Sequence, residues 1–245
     1  METLVGAHSQ PLNRALSISA SEPQPGPTLV IHSWTVDDQL EQTKTLWLVQ
    51  HGQTTWNSMG WVQGHVDQAR FTRRGKREIC HAANLLVGEK VGVVYSSDLL
   101  RARRTAMTIA RRLRCDLQID PRLRERDFGI AEGVPWVDVP TAATGVKGER
   151  VVDETAHPPG GESLRDVYLR CFEFLCELGN YSSDGDVVVV AHDGSIRMLR
   201  AIIEADDLAG LRWESPRQQL VQSVALGRPL RLDAVYAAAD VVVSD

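Results

Sequence analysis

TLWLVQ at residues 45–50 and DVVVVA at residues 186–191 are short, mostly apolar runs rich in β-branched and aromatic residues. Each passes without a break into a histidine and a small-residue turn, His51–Gly52 in one case and His192–Asp193–Gly194 in the other. Strands with little polar alternation belong inside a largely parallel sheet that is covered on both faces. Ligands of such open sheets bind beyond the carboxyl ends of the strands. Two histidines far apart in sequence, each at a strand end, can therefore meet in one crevice.

The segments between them alternate as that architecture requires. FTRRGKREICHAANLL (71–86) puts Ile79, Ala82, Ala83 and Leu86 on one helical face, with Thr72 placed to cap it. VGVVYSS (91–97) predicts a second strand, and DLLRARRTAMTIARRL (98–113) a helix with Asp98 near its start. In GGESLRDVYLRCFEFLCEL (160–178) the apolar stripe is Leu164, Val167, Cys171, Phe174, Leu175 and Leu178, with Ser163 and Asp166 forming a weaker capping box. The alternation predicts an α/β fold, a three-layer α/β/α sandwich around a mostly parallel sheet.

Residues 1–27, rich in Ser, Pro, Gln and Gly, predict a disordered N-terminal arm, followed by a single α/β domain over 28–245. TLVIHS (28–33), VQSVALG (221–227) and LRLDAVY (230–236) are further strand candidates. A segment over about 129–160 has no long periodic element and predicts an irregular cap insertion over a functional surface.

The 245 residues carry a net charge of -5, which disfavours nucleic acid as a partner. No run approaches a membrane span and the N-terminus lacks a signal pattern, so no membrane partner and a cytoplasmic location are expected. Cys80, Cys115, Cys171 and Cys176 lack redox or zinc spacing and are expected to be buried thiols. No metal-ligand motif is present, and neither metal nor cofactor is expected. A strand edge near the C-terminus leaves pairing into a homodimer open.

Two more residues point at the crevice. Arg101 lies one turn into the 98–113 helix, where a guanidinium is awkward unless an anion binds nearby. Glu125, in LRERDFG (123–129), is either a proton donor whose pKa is raised by apolar surroundings or a surface partner of Arg124 or Arg126.

Six separated blocks then carry a resemblance over about residues 45–236: QHGQTTWN (50–57), GWVQGHVD (60–67) with FTRRGKRE (71–78), SSDLLRARRTA (96–106), LRERDFGIAEG (123–133), PGGESLRDVYLR (159–170) and VVVVAHDGSIR (187–197). In this order they resemble the histidine phosphatase superfamily, also called phosphoglycerate-mutase-like. The resemblance implies a small-molecule phosphomonoester substrate and a phosphohistidine formed on His51. It further implies that His192 and Arg101 hold the equatorial phosphoryl oxygens and that Glu125 donates the proton. Asn57 is then placed to bind phosphate, with Thr54 and Gln63 on the substrate side.

Two positions depart from the family pattern. Gln50 stands where the family has an arginine, so one charge-assisted donor is replaced by a neutral amide. Asp193 stands where glycine is common, and a carboxylate there either bonds away from the site or repels phosphate. Both belong to the candidate substrate-binding set. These departures keep open an enzyme using His51, His192 and Glu125 for acid–base chemistry on a non-phosphate or weakly anionic metabolite. They also keep open a non-catalytic binding protein. A phosphoglycerate-type mutase is disfavoured, because it needs two anionic subsites and the insertion offers few cations beyond Lys147 and Arg150.

Overall fold

Strand β1 (Lys44–Gln50) pairs in parallel with β6 (Asp186–Ala191), as two apolar runs ending at the same level should. The computed structural model describes residues 44–179, 185–206, 208, 211 and 220–226; the expected arm at 1–27 and the strand candidates at 28–33 and 230–236 lie outside them. Between β1 and β6 come α1 (Thr55–Met59), α2 (Arg73–Leu85), β2 (Val91–Ser96), α3 (Leu100–Leu113), β3 (Asp116–Ile119), α4 (Thr141–Thr144), β4 (Val146–Lys147), β5 (Arg150–Val151) and α5 (Leu164–Gly179). α6 (Asp193–Glu204) and β7 (Val221–Leu226) follow.

The main sheet has the order β3-β2-β6-β1-β7, parallel except for β7, which runs antiparallel to β1 at the edge. Alternation along the strands splits the core in two. Val49, Val94, Val188 and Val190 pack with Ala82, Ala83 and Leu86 of the α2 region and Ala102, Ala106 and Ile109 of α3. On the other face Tyr95 meets Phe174 of α5 edge-to-face at 5.4 Å, and α5 packs on α6. The α/β/α sandwich is therefore present, with helices on both faces.

Thr72 caps α2 by accepting from Gly75 N–H at 2.9 Å, and Ser163 and Asp166 close their box before α5. Asp98 stands near the start of α3 without capping it. It forms a two-pronged ion pair with Arg124, and the carboxylate of Asp67 takes the Leu100 N–H at the start of α3 instead. The cysteines depart from the expected burial: Cys171 is buried, Cys115 and Cys176 are half-buried, and Cys80 is exposed because it falls on the outer side of α2. Cys115 also lies between α3 and β3 rather than in a helix. The insertion at 129–160 consists of two 3-10 turns, α4 and the two-residue ladder β4–β5.

Candidate active site

Three adjacent strands deliver three groups to one place. β1 ends at His51, β6 at His192, and β2 leads through Ser97–Leu99 into α3, which carries Arg101. The two imidazoles lie with ring centroids 5.1 Å apart and planes inclined by 60°. Gly52 permits the turn after His51 because a Cβ there would sit 2.6 Å from the carbonyl oxygen of Gly75.

His51 is 6 % exposed, and its bonds fix its tautomer. Nδ1 lies 2.9 Å from the Gly52 carbonyl oxygen, which can only accept, so Nδ1 carries the proton. Nε2 then keeps its lone pair and accepts from Arg101 Nε at 3.2 Å. Burial, with Arg101 as the second cause, pushes the His51 pKa down to about 3, so the ring is neutral at ordinary pH. The same two causes, in the same order, hold His192 well below the usual histidine range.

His192 is fully buried, and neither of its ring nitrogens has a hydrogen-bond partner among the described residues. Gln63 Oε1 is in the same condition. Buried polar atoms left so carry a desolvation cost that an added hydrogen-bonding ligand would relieve.

Arg101, 4 % exposed, is held from the outer side: Nη1 donates to Val66 O at 3.0 Å and Nη2 to Gly64 O at 2.6 Å, with Asp67 3.6 Å away. The carbonyls fix the guanidinium, whose charge is balanced by Glu125 first, then by Asp67 and Glu132.

Glu125 is not the surface partner of its arginine neighbours. Its Oε1 accepts from Arg126 N–H at 2.8 Å and its Oε2 from Gly194 N–H at 3.3 Å. Burial first and Asp193 second raise its pKa above the ordinary glutamate value. Asp193 ion-pairs with Arg197 at 2.9 Å, one turn on in α6. Its field thus falls on Glu125, while it is absent from the causes that shift His192.

Gln50, His51, Asn57, Gln63, Arg101, Glu125 and Asp193 line a single cavity of about 320 Å³. Asn57 accepts from Thr54 N–H and Oγ1 through its amide oxygen, which leaves its NH2 group as a donor. Thr54 itself is fully buried and spends its hydroxyl on this cap of α1, so it orients Asn57 and does not line the cavity.

Several residues that hold the site together were not singled out from sequence. Arg126, 2 % exposed, donates to the carbonyls of Ala143, Thr144, Ala156 and Glu162, which fastens the insertion to the segment carrying Glu125. Arg170 and His65 both bond the Glu125 carbonyl, at 3.0 and 2.8 Å. The available signal was the insertion itself: an irregular stretch rich in carbonyls must find donors, and guanidinium supplies five.

Neutral Nε2, adjacent donors and a buried carboxyl whose pKa is raised, facing one cavity, form an apparatus for attack on an electrophile with proton delivery to the leaving group. Fold and centre together define a phosphoglycerate-mutase-like α/β protein with paired histidines. The chain belongs to the histidine phosphatase superfamily (branch 1), whose family model matches residues 46–224. A metal-independent phosphoserine phosphatase of Arabidopsis thaliana is 32% identical over 183 residues, 72% of this chain and 76% of that one. A glucosyl-3-phosphoglycerate phosphatase of Mycolicibacterium vanbaalenii is 34% identical over 169 residues, 66% of this chain and 75% of that one. Among solved structures, the mycobacterial glucosyl-3-phosphoglycerate phosphatase complexed with VO3 matches with a TM-score of 0.58 and 31% identity, covering 66% of this chain and 82% of its own. These relatives are phosphatases of phosphorylated small metabolites, and the chain is an enzyme of the histidine phosphatase type. No helix among the described residues is long and apolar enough to cross a membrane.

Proposed function

We propose that the protein hydrolyses a phosphomonoester of a small metabolite through a phosphohistidine on His51. The observation that carries this reading is the unprotonated Nε2 of His51, fixed by its Nδ1 bond to Gly52 O and lining the same cavity as Glu125.

Nε2 attacks phosphorus in line, the P–O bond to the alcohol breaks, and Glu125 gives its proton to the departing oxygen. Water then attacks the phosphoryl group, Glu125 takes back a proton, and Nε2 leaves with the P–N electron pair as inorganic phosphate is released. Charge in these transition states spreads over the equatorial oxygens, so fixed donors supply most of the stabilisation. Arg101, the NH2 of Asn57 and the one N–H of the neutral His192 imidazole are the donors available. Gln50 contributes an amide in place of a charge.

Incubation with a panel of phosphomonoesters should release phosphate, and rapid quenching should capture acid-labile phosphate on the protein. Both signals should vanish in His51→Ala. Release that persists in that variant, or none from any ester, would overturn the mechanism and leave acid–base chemistry on a weakly anionic metabolite as the reading to test.

A further inference from the structure

Beyond the phosphoryl site the cavity has a wall of a particular kind. Gly60–Val62 and Gly133–Trp136 are laced together across the mouth by Val62 N–H to Val134 O at 2.9 Å, Gly133 N–H to Val62 O at 2.9 Å and Trp136 N–H to Gly60 O at 2.8 Å. This lacing fixes three rings of the lining, Trp61, Phe128 and Trp136. Phe128 meets Trp136 edge-to-face with centroids 5.7 Å apart, and Trp61 meets Trp56 at 5.8 Å. Trp61 and Trp136 are 38 % and 39 % exposed, although they are large apolar side chains already braced by neighbours.

Away from the phosphoryl end, the charged side chains in the described lining are acidic: Glu149, flanked by Lys147 and Arg150 outside the lining, and Asp193, which is paired with Arg197. Glu149 and Asp193 line the cavity with Glu125, whereas its cations are Arg101 and Arg126. Arg101 spends three of its five N–H groups on His51 and two carbonyls and has the rest for the phosphoryl group, and Arg126 is committed to four carbonyls. A second anionic group on the substrate would approach Glu149, with no further cation among the described lining residues to receive it. Like charges so placed disfavour binding. Flat, weakly polar surface is what exposed and rigid indole edges accept with little entropy loss.

We infer that the leaving group is a ring-bearing alcohol without a second anionic group, so that the substrate is a monophosphate ester carried on an aromatic or heterocyclic moiety, uncharged or cationic. The inference rests on the phosphatase reading and narrows its substrate class. The phosphoryl group occupies the histidine end and the ring lies against Trp61, Phe128 and Trp136. Glu149 stands at the outer end, where it favours an amine and repels a carboxylate or a second phosphate.

The test compares 2-phenylethyl phosphate with 3-phosphoglycerate. Both are esters of primary alcohols, so the comparison reads recognition more than leaving-group chemistry. The ring-bearing ester should have the higher kcat/KM. Trp136→Ala should raise its KM at least about tenfold more than that for 3-phosphoglycerate. Glu149→Lys should lower the KM for 3-phosphoglycerate up to about fivefold. A higher kcat/KM for 3-phosphoglycerate in the unaltered protein would overturn the inference and leave the phosphatase reading standing. Should neither ester be turned over, the wider panel of phosphomonoesters decides that reading, and titration calorimetry of both esters on His51→Ala decides the inference. Tighter binding of 2-phenylethyl phosphate upholds it; equal, weaker or no binding overturns it.

Discussion

Gly194 has no side chain where Glu125 stands: a Cβ at residue 194 would lie 2.3 Å from Glu125 Oε1. The N–H of Gly194 meanwhile donates to Oε2, so the first turn of α6 wraps the carboxyl as closely as a backbone can. His192 and the bed of Glu125 are thus consecutive parts of one strand–helix junction.

Gly194→Ala should therefore push the Glu125 carboxyl aside. The expected result is a fall in kcat of about 10²-fold, the scale of a misplaced acid–base group. The neighbour that must yield is the end of a side chain beside a cavity, so the melting temperature should shift by only a few degrees. Steady-state kinetics and a thermal melt measure the two effects, and an unaltered kcat would show that Glu125 need not stand there.

Asp193→Asn should move the pH profile. A donor must be protonated, so activity is lost as pH rises through the folded-state pKa of Glu125. Burial raises that pKa, and Asp193 raises it further. Removing the Asp193 charge lowers it, and the alkaline limb of kcat/KM should shift toward lower pH. A limb that stays put or moves upward would show that Asp193 does not act on Glu125.

Gln50→Arg should raise kcat/KM for phosphomonoesters tenfold or more. A charge-assisted donor pair in a dry site is worth about 2–5 kcal/mol, and position 50 already lines the cavity. Inhibition by inorganic phosphate should tighten in parallel. Unchanged turnover with unchanged phosphate affinity would mean that a missing charge does not limit the protein.

Arg126→Leu should destabilise the fold by about 3–5 kcal/mol, because one buried and three partly buried carbonyls lose their donor at once. Burial pushes the Arg126 pKa down to about 10, with Glu125, Glu162 and Asp166 acting in the opposite sense. Arg126→Lys should recover only part of the loss, since a single ammonium cannot span the same fork. Urea unfolding gives both numbers.

The sandwich was legible because its signals are local. Strand ends, the Thr72 cap and the apolar stripe of the 160–178 helix each follow from residues a few positions apart. The convergence of His51, His192 and Arg101 was legible too, because strand ends of a parallel sheet share one edge. What stayed hidden depends on partners distant in sequence. Nothing local showed Arg124 reaching Asp98, or Asp67 accepting from the Leu100 N–H. Arg126 entered only as an alternative surface partner of Glu125, because the carbonyls it holds are distant in sequence. Thr54 looked like a substrate contact, yet its hydroxyl is claimed by Asn57, three residues on.

The ladder between β1 and β6 places Gln50 opposite Ala191, so His51 and His192 are the next rungs of neighbouring strands. Their centroid spacing of 5.1 Å is close to the repeat of any β-sheet, about 4.8 Å. The gap between the imidazoles is thus inherited from main-chain geometry and owes nothing to loop conformation. Mutational drift in the 129–160 segment can remodel what the protein recognises while this spacing persists, whereas one residue added or removed within either strand would turn an imidazole to the opposite side.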